Sequence, residues 1–127
     1  NRVSSYRNNL AQIADVVTYF YRDFTDPNNP ATLRDGFRLL VQDHKWLAPS
    51  YQLADLHSNR TNTFLYIYSH RPSFSQEPPW VGASHLDDLL YLLGDPVART
   101  PSHQYTQEEK QLSFSLMAYW TNFAHTG

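Results

Sequence analysis

The run Thr63-Phe64-Leu65-Tyr66-Ile67-Tyr68 constrains the fold more than any other stretch of this chain. Its residues are β-branched, aromatic or aliphatic between polar flanks, which is a strand signature. The lack of alternation predicts burial on both faces. Every other element reads as a helix, and a strand by itself leaves its N–H and C=O groups unmatched on both edges. Either it pairs with a second copy, or its neighbours lie in polypeptide outside this stretch. The second is the expectation, because the chain opens on Asn1 rather than Met and stops just after a helix. No repeat, low-complexity tract or linker divides it, so residues 1–127 are expected to be one piece of a single larger domain.

The helices follow from spacing and caps. Between Tyr6 and Tyr21, the residues Leu10, Ile13, Ala14, Val17, Phe20 and Tyr21 fall on one helical face. The segment Asp26-Pro27-Asn28-Asn29-Pro30 interrupts it. Asn29 can cap a second helix with Pro30 at its first position, and Leu33, Phe37, Leu40 and Val41 would form its buried stripe. Gly36 weakens that helix by about 1 kcal/mol relative to alanine, so packing must sustain it. Trp46 and Pro49 predict a break, followed by a third helix over Tyr51 to His57. Arg71 to Gly82 reads as an ordered, proline-rich loop, and a short helix from Leu86 to Leu93 is stopped by Gly94 and Pro96. Thr106 and Glu109 form a capping box for a last helix. Its face is Leu112, Leu116, Trp120 and Phe123, with Met117 and Ala124 beside it and Gly127 at a left-handed cap.

Composition narrows the possible functions. Apolar residues are 41% and charged residues 17%, which is globular rather than disordered. A formal charge of −2 with no basic stripe argues against a nucleic-acid partner. Aromatics at 15% suit either a packed interior or a protein-contact surface. Without cysteine there is no disulfide framework and no thiolate metal site. No apolar run approaches the ~20 residues of a membrane span, and no signal-peptide pattern opens the chain. Asn59-Arg60-Thr61 matches the glycosylation pattern, making Asn59 a candidate acceptor on an exposed loop.

Chemistry centres on His85. No two of the six histidines stand in a His-x-x-x-His pair, so neither a metal nor a cofactor is expected. His85 sits between the proline- and glycine-rich loop and the short apolar helix. Held there, it can be an enzyme's proton carrier or a packed residue with no chemical role. Asp87 and Asp88 beside it most simply complement the helix dipole. There is no Gly-x-Ser-x-Gly and no phosphate-cradling loop, so no nucleophile or acid partner can be assigned within this stretch.

Trp80-Val81-Gly82-Ala83-Ser84-His85-Leu86-Asp87-Asp88 with Tyr91-Leu92-Leu93-Gly94 resembles the histidine segment of the carboxylesterase type B (cholinesterase-like) family. The likeness continues through Glu108-Glu109-Lys110-Gln111-Leu112-Ser113 to Tyr119-Trp120-Thr121-Asn122-Phe123-Ala124-His125-Thr126-Gly127, and Thr63 to Pro72 looks like the strand before that loop. The resemblance implies an α/β class: the C-terminal part of an α/β-hydrolase fold, mostly helices plus one or two strands of a larger sheet. It implies that His85 is the histidine of a Ser-Asp/Glu-His triad, with serine, acid and oxyanion hole upstream of Asn1. The substrate would be a small-molecule or lipid ester, the isolated fragment would be inactive, and the protein would be secreted or held on the extracellular face of the plasma membrane.

Two branches of the family share these features. The Val-Gly-Ala-x-His-x-Asp-Asp run resembles secreted esterases of the bile-salt-activated lipase kind. Tyr21-Arg22-Asp23-Phe24-Thr25-Asp26, Asp43-His44-Lys45-Trp46-Leu47-Ala48-Pro49 and Ala54-Asp55-Leu56-His57 resemble neuroligins. Neuroligins are adhesion members that keep the histidine and generally lack the serine, and they imply a cell-surface protein partner. Two residues depart from the family pattern. Leu86 stands where a small residue commonly follows the histidine, and Ala48 where cholinesterases have cysteine.

Overall fold

A computed structural model describes residues 9–127, and their contacts gather into two compact units, one up to Leu65 and one from Tyr66. In the first unit, α1 spans Leu10–Tyr21; its predicted start at Tyr6 lies outside the described residues. The periodicity gives the helix but not the burial: α1 has no buried residue, and Leu10 and Phe20 of its expected inner face are 62% and 80% exposed.

Helix α2, Pro30–Gln42, starts as its sequence predicts, with the Asn29 side chain accepting the Ala31 N–H at 2.9 Å and Pro30 in the first turn. Its expected stripe is only partly covered. Leu40 and Val41 are half-buried, Leu33 and Phe37 are exposed, and Gly36 is the buried residue. The reason lies in α1: a Cβ on Gly36 would run into the Tyr21 carbonyl oxygen. The glycine that weakens α2 is also what admits α1 against it.

The expected break at Trp46 and Pro49 does not occur. The chain continues through a π-helical turn, Asp43–Leu47, directly into α3, Ala48–Ser58. Proline has no N–H and its ring collides with the carbonyl four residues back in an α-helix. The π turn, closed by the Ala48 N–H on the Asp43 carbonyl, is wider and accommodates it. The Tyr21 hydroxyl donates to Asp43 at 2.9 Å and ties the end of α1 to this turn.

The predicted strand is also corrected. Thr63 to Tyr68 adopts no regular structure, and Phe64, Leu65, Tyr66 and Ile67 are 70%, 45%, 47% and 59% exposed. A ladder needs a second segment, and among the described residues there is no strand to supply one. In the second unit the end of this run makes side-chain contacts instead. The Tyr66 hydroxyl donates to Asp88 at 3.0 Å, and its ring meets Trp120 edge-on.

Helix α4, Asp87–Leu92, is followed by Gly94 at φ 80° and a 3₁₀ turn, Asp95–Val97. Helix α5, Gln107–Thr126, carries the predicted capping box. The Glu109 N–H donates to the Thr106 hydroxyl at 3.2 Å, and the Thr106 N–H donates to the Glu109 carboxylate at 2.7 Å. The small core lies between α4 and α5. It holds Tyr91 and Leu116, and the Ser113 hydroxyl donates to the Tyr91 carbonyl at 2.6 Å. No helix among the described residues is long and apolar enough to cross a membrane.

Candidate functional site

His85 is exposed on a turn just before α4. The turn closes through the Asp87 N–H, which donates to the Ser84 carbonyl at 3.2 Å. The Asp87 carboxylate then accepts the Ser84 N–H at 2.7 Å. Between them, Leu86 takes the left-handed conformation, φ 76° and ψ 2°. It is the one non-glycine residue with positive φ among the described residues. Asp87 and Asp88 do occupy the first turn of α4, where they suit the helix dipole. Each also has a specific partner the sequence did not reveal: the Ser84 N–H for one and the Tyr66 hydroxyl for the other.

Asn59, the candidate glycosylation site, is exposed in the turn that caps α3. Its side-chain amide donates to the Asp55 carbonyl at 3.1 Å.

The strongest polar node of the second unit lies elsewhere. Glu109 is 1% exposed and accepts from the Ser73 N–H at 2.7 Å, the Ser73 hydroxyl at 2.8 Å and the Tyr91 hydroxyl at 2.9 Å, besides the Thr106 N–H. His70 Nε2 stands 3.2 Å away. Burial pushes this carboxyl up, but the backbone donors of Ser73 and Thr106, the Ser73 hydroxyl and His70 outweigh it and hold the pKa at about 2. The Tyr91 hydroxyl moves the other way, raised by burial and by its bond to the Glu109 carboxylate. The capping box placed Glu109 at the start of α5; nothing in the spacing announced a buried charge.

A second group has the membership of a Ser-His-Asp triad without its geometry. The Ser102 hydroxyl lies 2.5 Å from Asp95 and 2.8 Å from His103 Nδ1. Asp95 is held below the usual carboxylate range by the Ser102 and Tyr105 hydroxyls. As an ionised carboxylate it takes the single Ser102 proton, so His103 donates to Ser102 instead of pulling a proton from it. That arrangement generates no nucleophile. The Tyr105 hydroxyl, 2.6 Å from Asp95, is pushed up to about 12 by burial and by that bond. His103 lies flat on Phe74 with ring centres 3.8 Å apart. A cavity of about 410 Å³ beside them is lined by Ser73, Phe74, Gln104, Tyr105 and Thr106, and His85 takes no part in it. Among the described residues no three His, Asp or Glu side chains gather as a metal ion would require.

Comparison with known proteins gives these features their setting. The chain is 33% identical to neuroligin-3 of Mus musculus over 119 residues. That match covers 91% of this chain and 14% of the relative, so the chain spans about a seventh of the length of the curated protein it matches. The model of the carboxylesterase family, whose fold is the α/β-hydrolase, matches residues 1–127. The chain belongs to the carboxylesterase family.

Proposed function

We propose that this chain supplies the proton-carrying histidine of a carboxylic-ester hydrolase. The observation that carries the reading is His85 itself, exposed on a turn that Asp87 closes from both sides, in a chain of the carboxylesterase family. The imidazole would accept the nucleophile's proton during attack on the ester carbonyl and return it to the departing alcohol. A carboxylate would fix its tautomer. Serine, carboxylate and oxyanion hole would come from polypeptide before Asn1. Proton transfer of this kind needs no cofactor. The substrate would be a small-molecule or lipid ester, and the protein secreted or on the extracellular face of the plasma membrane, with a glycan on Asn59 as the accessible sign of that route.

The test uses the full-length protein. It should cleave a short-chain aryl ester, and His85→Gln should lower kcat at least about a thousandfold. The substitution keeps a polar side chain of similar size, so the melting temperature should stay nearly unchanged. A large loss of stability with activity intact would mark His85 as a packing residue.

A second reading is favoured by the similarity to neuroligin-3. The whole protein would then keep the fold and the histidine without the nucleophile, and bind a cell-surface protein partner. The residue between the glycines of the upstream Gly-x-Ser-x-Gly position separates the two: serine supports hydrolysis, and glycine or alanine supports adhesion.

A further inference from the structure

The backbone at Leu86 goes further than the histidine alone. Ser84 to Asp87 form a four-residue turn, with the Asp87 N–H on the Ser84 carbonyl. Leu86 is its third residue, and its φ of 76° and ψ of 2° are those of the third position of a type II turn, about +80° and 0°, where glycine is the natural occupant. A leucine Cβ is strained there. A type I turn spans the same four residues with its third position at about −90° and 0°, which leucine adopts freely. The two forms differ by a flip of the peptide between His85 and Leu86. His85 is the second residue, so the flip changes its ψ by about 150° and with it the rotamers open to its imidazole.

Something must hold the costlier form. Strained backbone persists where its surroundings over-determine it, and Asp87 grips this turn twice, through its N–H and through its carboxylate on the Ser84 N–H. The Leu86 carbonyl is engaged as well, accepting the Leu89 N–H at 3.1 Å as α4 begins. We propose that Asp87 and Leu86 are positioning residues for His85: the Asp87 clamp keeps Leu86 left-handed, and the left-handed residue sets the direction in which the imidazole is presented. The proposal deepens the triad reading and rests on it for its catalytic consequence. Neither residue touches the reacting atoms.

The test follows the His85 ring in the full-length protein labelled with ¹³C-histidine, its Cε1–H signal identified by its loss in His85→Gln. Asp87→Ala should shift or double that signal, as two turn forms become populated. Adding Leu86→Gly to Asp87→Ala should return it to one signal at the wild-type position, because glycine holds a type II turn without a clamp. In ester hydrolysis, Asp87→Ala should lower kcat about tenfold or more with KM within about twofold, and the double variant should recover. Leu86→Gly alone should raise the melting midpoint by about 2 °C. An unmoved His85 signal in Asp87→Ala, no recovery in the double variant, or a fall in melting midpoint for Leu86→Gly would each overturn the proposal. A wild-type protein that cleaves no ester removes the hydrolase reading, and the His85 signal still decides the turn.

Discussion

Glu109 is the residue whose charge matters most to the second unit. It is 1% exposed, and five hydrogen bonds reach it from His70, Ser73, Tyr91 and Thr106. Its folded pKa of about 2 lies below its ordinary 4.5. A depressed carboxyl stabilises the fold fully above its unfolded value, and that contribution disappears as pH falls through the folded value. Its contribution is on the order of 3 kcal/mol. In the full-length protein, the urea midpoint should therefore drop between about pH 4.5 and pH 2, and Glu109→Gln should flatten that part of the profile. An equally steep acid limb in Glu109→Gln would assign the effect to other carboxylates. At this scale the sequence was half legible. The pairing of Thr106 with Glu109 is a three-residue spacing and could be read directly. The contacts from His70 and Ser73 cross 39 and 36 residues, and no local pattern encodes them.

Elements were legible where local chemistry sets them. Asn29 with Pro30, Thr106 with Glu109, and Gly94 mark helix ends by interactions within a few residues, and the ends fall there. Pro49 was misread because its usual effect assumes an ordinary α-helix, and the π turn before it removes the clash. Thr63 to Tyr68 was misread because a strand is a property of two segments, and composition describes only one. Gly36 gives the sharpest element-level prediction. Helix propensity alone says Gly36→Ala should gain about 1 kcal/mol. The Tyr21 carbonyl oxygen occupies the space a Cβ would need, and overpacking against backbone costs about 1–3 kcal/mol. Urea denaturation of the full-length variant should show a net loss; a net gain would mean that α1 and α2 have room to move apart.

The whole chain carries more apolar surface than it covers. Among the described residues the buried hydrophobic side chains are Tyr91 and Leu116, while Phe20, Leu33, Phe37, Phe64 and Tyr119 are each more than half exposed. A core of that size offsets little of the conformational entropy of so long a chain. Expressed alone, residues 1–127 should bind a hydrophobic dye and melt without a cooperative transition. A sharp calorimetric peak from the isolated chain would refute this. This much of the molecule was legible from one segment, because so apolar a run as Thr63 to Tyr68 already demanded partners. Which faces would lie open was not, since periodicity reports that a stripe exists and not what covers it. The π-helical turn at Asp43–Leu47 has a consequence on this scale too. That wide turn takes up one extra residue, so deleting a single amino acid there would restore regular winding and leave the following helix at nearly its present rotation. Asn59 would keep its direction, and any sugar attached there would project from the same side of the protein.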